Sequence, residues 1–210
     1  MGLLSLLFRD PITFCLLAVA LLYSVIAHEV AHGWVASLCG DNTAKYSGRL
    51  SFNPMLHLDP LGTIALFLVG FGWAKPVPVD YRSLGNSRWN IIAVSLAGCT
   101  TNILIATVSI FLLQFQFFQG NHFFAPALSV IARINIILGA FNLIPIPPLD
   151  GSRVLMEFLP YEAKYQLARL EPYGFFIILI LLFTGILSPV ITFVQTVIVG
   201  LIGILINVLR

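Results

Sequence analysis

The sequence predicts an α-helical integral membrane protein of about five to six transmembrane helices, with a re-entrant, strand-like segment after the first span. Three observations lead there. Of 210 residues, 59% are hydrophobic and 10% charged, whereas a soluble domain carries roughly 25% charged residues. Mean hydropathy is +0.96, and several apolar runs approach the ~20 residues that cross a bilayer core as a helix. Polar residues and turn formers gather between those runs, mainly at 40–60 and 151–171. A net charge of +2 is too small to suggest nucleic acid as a partner. Cys15, Cys39 and Cys99 sit in or at the end of apolar runs without Cys-x-x-Cys spacing, so they read as small core residues. Residues 1–10 are too short, and too poorly followed by a cleavage site, for a signal peptide.

Residues 1–10 read as an interfacial lead-in, and Pro11 suits a first helical turn. A first span covers about Ile12 to Cys39, with Gly40 as a helix stop. Residues 41–80 read as strands plus a re-entrant segment. Gly48-Arg-Leu-Ser-Phe52 is strand-like, and the apolar run Leu61 to Trp73 is short for a span. Pro76 and Pro78 at alternate positions favour extended backbone. Irregular chain at membrane depth is tolerated only against protein or a wet cavity. A second span runs from about Ile91 to Phe115 and a third from Phe123 to about Leu143. The third breaks at Pro145, Pro147 and Pro148. Residues 152–171 read as an interfacial helix, followed by spans at about Pro172 to Leu187 and Pro189 to Leu209.

Charge placement favours re-entry at 61–73. One side then holds Lys45, Arg49, Lys75, Arg82, Arg88, Arg153, Lys164, Arg169 and Arg210, against Arg9 alone on the other. A crossing at 61–73 would split these charges evenly. Cationic loops mark the cytoplasmic side. Arg133 falls inside the third span, where it is expected to pair with a carboxylate or to snorkel.

The chemistry-bearing stretch is Ile26-Ala-His-Glu-Val-Ala-His-Gly33. Four residues turn an α-helix through about 400°, so His28 and His32 lie about 40° apart and one turn removed. Both imidazoles can then reach one tetrahedral zinc, and Glu29 between them can reach the attacking water. Ionisable residues in a membrane helix are costly unless they face a cavity or bind something. A catalytic zinc takes a third protein ligand and keeps one position open. Asp150, Asp59 and His57 are the candidates, with Asp150 favoured because proline-broken chain can aim its carboxylate into the bundle. His57 otherwise suits a packing, supporting or gating role. Asn102, beside small residues at 97 and 98, suits close helix packing and support of the site. Two function classes fit such a centre: a hydrolase, or a metal-binding transporter or sensor without hydrolysis.

Taken together, the motifs resemble the site-2 proteases, the family of intramembrane zinc metalloproteases, and in particular its compact bacterial members lacking extra domains. The resemblance rests on His-Glu-Val-Ala-His at 28–32 and Asn-Leu-Ile-Pro-Ile-Pro-Pro-Leu-Asp-Gly at 142–151. It extends through Phe52 to Thr63, Gly72 to Pro78 and Ala97-Gly-x-x-x-Asn102, about 60% of the chain in the family's order. It implies that His28, His32 and Asp150 bind one zinc ion, that Glu29 is the catalytic base, and that Asn142 sits near the substrate carbonyl. It implies one membrane domain over 1–210, with a catalytic core at 11–155 and an interfacial helix and two spans at 156–210. The expected setting is the cell membrane, and the charge placement puts the site on its cytoplasmic half. The implied partners are the bilayer and a membrane-embedded protein substrate, such as a tethered regulator or a signal-peptide remnant. A helical substrate must unwind before cleavage, and Lys75 to Val79 is a candidate for holding it by strand addition.

Overall fold

The computed structural model describes residues 7–69, 72–85 and 87–208. Residues 1–6 of the lead-in, Gly70 and Phe71 of the short apolar run, and Arg210 lie outside them. Five helical stretches are long and apolar enough to cross a membrane: Pro11–Leu38, Arg88–Leu112, Phe124–Asn142, Tyr161–Phe183 and Leu187–Val208.

Helix α1 (Pro11–Leu38) opens as the sequence reading expects. Pro11 occupies the first turn, and the Asp10 carboxylate accepts the Thr13 N–H at 3.1 Å. Its buried face includes the stripe Ala20, Ser24, His28, His32 and Ala36, each four residues from the next. That spacing stacks side chains on one face. Helix α2 is Pro60–Val69, α3 is Arg88–Leu112 and α4 is Phe124–Asn142. α3 packs against both α1 and α4. Ser95, Gly98, Cys99, Asn102 and Ala106 of α3 are buried, as are Ala132, Asn135, Gly139 and Ala140 of α4. Small residues let helix backbones approach closely where lipid supplies no hydrophobic drive for association.

The proline-rich stretch ends α4 at Asn142, and a new short helix, α5 (Asp150–Met156), begins with Asp150. The interfacial helix expected at 152–171 is instead divided between α5, α6 (Tyr161–Ala168) and a single 3-10 turn at Glu171–Tyr173. α7 (Gly174–Phe183) and α8 (Leu187–Val208) complete the chain. Ile198, Ile202 and Ile206 of α8 pack on Ala106 of α3 and Ala140 of α4. Phe176, Ile180, Phe193 and Ile204 are exposed, as lipid-facing side chains would be.

A further expectation needs correction. The strands expected within 41–80 do not form: among the described residues the only β-pairing is an isolated antiparallel bridge between Leu58 and Ala74. The physical reason is that beyond this bridge few donors and acceptors of the extended stretch are free for a ladder. Pro76 and Pro78 have no N–H, the Lys75 N–H goes to His57 O, and the Val77 N–H goes to a side chain. Its carbonyls at Lys75 and Pro76 are taken by the Arg49 guanidinium. The same pairings weigh against substrate strand addition along Lys75 to Val79. Arg133 makes no ion pair among the described residues; it is exposed in a groove it shares with Ile110, Ser129 and Gln195.

Candidate metal centre

Three side chains from two distant parts of the chain converge. His28 Nε2 and His32 Nε2 lie 3.0 Å apart, and Asp150 Oδ2 lies 3.1 Å from the first and 3.2 Å from the second. Ligands about 2.0–2.1 Å from a tetrahedral zinc stand roughly 3.3–3.4 Å from one another, so this triangle is close to the size zinc requires. Both histidines are buried.

The far side of each ring fixes its chemistry. His32 Nδ1 donates to the Val94 carbonyl at 2.7 Å, an oxygen that can only accept. His28 Nδ1 donates to Asn102 Oδ1 at 2.6 Å. The Asn102 amide nitrogen faces Ser24 O at 3.3 Å and Asn135 Oδ1 at 2.7 Å, which orients the carboxamide with its oxygen towards His28. Asn135 in turn donates to Ser24 Oγ and Ile131 O, both at 2.8 Å. With the protons on Nδ1, both Nε2 lone pairs point at each other and at a carboxylate oxygen. Three electron-pair donors in contact repel unless a cation lies among them, so the donor set fits a metal ion.

Backbone shape makes the convergence possible. A β-carbon on Gly98 would lie 2.5 Å from His28 Cε1 and from His32 Nε2, so only glycine lets α3 pass this close. Cys99, next to it, is buried with Sγ 3.7 Å from Asp150 Oδ2. Asp150 owes its place to the chain reversal before it: a β-carbon on Gly151 would lie 2.2 Å from the Leu143 carbonyl oxygen. The start of α5 is thereby held against the end of α4.

Glu29 is outside the three-ligand cluster. It is half-buried, and its Oε2 accepts the Val77 N–H at 2.9 Å. The stretch carrying Val77 is tied at its far end by Asp41, whose Oδ2 accepts the Asp80 N–H at 2.8 Å. Burial raises the Asp41 carboxyl, but hydrogen bonds from the Thr43 hydroxyl and amide and the Asp80 amide outweigh it and hold the group below the ordinary carboxylate range.

The rival third ligands are engaged elsewhere. Asp59 Oδ1 accepts the Gly62 N–H at 2.8 Å and caps α2. His57 is fully buried with Nε2 bonded to Ser51 O at 2.7 Å, bracing the loop instead of joining the cluster. Asn142 is half-buried, and its amide donates to Leu138 O at 3.1 Å within its own helix. Sequence reasoning missed Ser24, Asn135, Arg49 and Val77. Asn135, polar within a span, carried a signal; a backbone N–H such as that of Val77 carries none.

Comparisons with known proteins point to zinc as the metal. The family model described as Peptidase family M50 matches residues 16–124 and 117–185. The chain is 39% identical over 181 residues to "Putative zinc metalloprotease YwhC" of Bacillus subtilis, covering 83% of each chain. It is 28% identical over 180 residues to "Putative zinc metalloprotease Rip2" of Mycolicibacterium smegmatis, covering 83% of this chain and 69% of that one. It is 29% identical over 157 residues to "Zinc metalloprotease MJ0392" of Methanocaldococcus jannaschii, covering 75% of this chain and 38% of that one. No solved structure matches the chain.

Proposed function

The chain belongs to peptidase family M50, and from that premise we propose how its residues carry out the work of an intramembrane zinc metalloprotease. His28, His32 and Asp150 are the zinc ligands, and Glu29 is the general base. The observation that carries this reading is the triangle of two Nε2 atoms and one carboxylate oxygen 3.0–3.2 Å apart. Bound zinc supplies a Lewis acid towards water and a peptide carbonyl. Val77 N–H fixes the Glu29 carboxylate through Oε2, so Oε1 takes the proton from the attacking water. The same carboxyl then delivers that proton to the leaving amine, which separates with the carbonyl carbon bonded to the water oxygen. Asn142, once released from Leu138 O, is the candidate donor to the developing oxyanion. The Asp150 side chain retains 17% exposure against 8% and 10% for His28 and His32, so the α5 side is the most open approach to the centre.

The substrate is a peptide bond in or near a transmembrane segment of another protein. α2 is 10 residues long, about 15 Å of helix against a ~30 Å hydrocarbon core. The Leu58–Ala74 bridge returns the chain to where it started. Both features support a re-entrant course beside the site. With that course, the cationic loops share one side, and the centre lies in the cytoplasmic half of the cell membrane. A transporter or sensor is not favoured: the spans after residue 172 offer no continuous polar path, and a carboxylate beside the ligands has no use in simple metal binding.

The test compares purified wild type with Glu29→Gln for zinc content and for cleavage of a membrane-embedded helical substrate. Loss of cleavage with zinc retained is expected. Equal cleavage by the two proteins would reject Glu29 as the base.

A further inference from the structure

The Glu29 carboxylate is oriented by a peptide group 48 residues further along the chain. The Val77 N–H that meets Oε2 and the Pro76 C=O are the two ends of one planar amide, so fixing one end sets the direction of the other. Arg49 holds the carbonyl end. Its Nη2 donates to Pro76 O at 3.1 Å and to Lys75 O at 2.8 Å. Arg49 is buried, and a charged donor on an amide oxygen in a low-dielectric setting strengthens the N–H at the other end. On either side the stretch is anchored by Lys75 N–H to His57 O and Asp80 N–H to Asp41, each at 2.8 Å.

We propose that Arg49 is a positioning residue for peptide hydrolysis, holding the Glu29 carboxylate in its proton-accepting orientation through the Pro76–Val77 peptide group. The proposal rests on Glu29 being the general base. A glutamate side chain has three rotatable bonds, and without a fixed N–H the carboxylate samples rotamers turned away from the water. Turnover then falls with the fraction correctly placed, while substrate binding and zinc affinity, which do not use Arg49, are retained. A single guanidinium nitrogen, Nη2, reaches two consecutive carbonyls, and the shorter lysine stem places its ammonium less well for both.

The experiment uses the full chain in detergent and a reporter cleaved within a single transmembrane helix, with kcat, KM and zinc per chain measured. Arg49→Gln should lower kcat about ten-fold with KM within about two-fold and zinc unchanged. Arg49→Lys should fall between it and wild type. In a Glu29→Asp background, whose shortened carboxylate no longer reaches Val77, Arg49→Gln should cause no further loss. Wild-type kcat in Arg49→Gln would overturn the proposal. So would a further ten-fold loss in the Glu29→Asp background, or loss of zinc in both Arg49 variants, since each assigns Arg49 to the scaffold alone. Wild-type kcat in Glu29→Gln instead overturns the general-base reading and takes the proposal with it, so the two failures are distinguishable.

Discussion

The trio α1, α3 and α4 and the pair α7 and α8 are both apolar helices, but they are held together by different forces. Ser24, His28 and His32 of α1, Ser95, Asn102, Thr107 and Ser109 of α3, and Asn135 of α4 are buried polar residues. Among the described residues of α7 and α8 no polar side chain is buried; Ile178, Leu187, Ile198, Ile202 and Ile206 are. Polar groups in a membrane interior cost free energy unless every donor and acceptor is matched. In the trio the buried amides Asn102 and Asn135, with Ser24, form a chain of hydrogen bonds that ends on His28, while Thr107 and Ser109 bond to carbonyls of their own helix. Elsewhere the protein relies on shape, because lipid tails compete with aliphatic contacts on nearly equal terms.

The contrast can be broken most severely at the centre. Glu29→Gln should lower kcat by about 10²–10⁴ with zinc retained, whereas Asp150→Asn should lose both zinc and activity; atomic emission and a cleavage assay separate the two. A subtler break is Gly98→Ala, which forces a methyl group to within 2.5 Å of both rings. Competition with a chelator should show zinc affinity reduced by at least about ten-fold, since the displaced rings cannot both keep their acceptors. Asn102→Ala removes the acceptor of His28 Nδ1 and strands Asn135; a ten- to hundred-fold loss of zinc affinity is the expected size for removing such a partner.

The C-terminal pair should respond in another currency. Ile202→Ala leaves a hole where α8 meets Ala106 and Ala140. The melting temperature in detergent should drop by a few degrees, with zinc content and kcat unchanged. The smallest effect is expected at Gly200, where an added β-carbon meets nothing within 4 Å. Gly200→Ala should match wild type in melting, zinc and turnover, so the same chemical change would separate the two regions. A Gly200→Ala protein as impaired as Gly98→Ala would abolish the distinction.

Legibility from sequence followed the range of the interaction. The spans at 12–39, 91–115 and 123–143 could be read because length and apolar content are local properties. His28 and His32 could be paired because helical spacing alone puts them on one face. Asp150 was favoured among three candidates because proline-broken chain precedes it; the structure engages its rivals elsewhere, Asp59 capping a helix and His57 bracing a loop. The strands were misread because alternating prolines do favour extended chain. Whether extended chain becomes a sheet depends on partners for its N–H and C=O groups, and here Arg49 and Glu29 are those partners.

By itself the sequence determined a multi-pass helical membrane protein, a two-histidine metal motif with its carboxylate, and a proline-broken second motif. These follow from hydropathy, helical period and backbone restriction, each set within a short stretch. Only the tertiary structure brought Asp150 to within 3.2 Å of both histidines, let α3 pass the two rings at Gly98, and set the Glu29 carboxylate against the Val77 amide on a stretch whose carbonyls Arg49 holds. Those are contacts between chain segments far apart in sequence, and they exist only once close packing has brought the segments together.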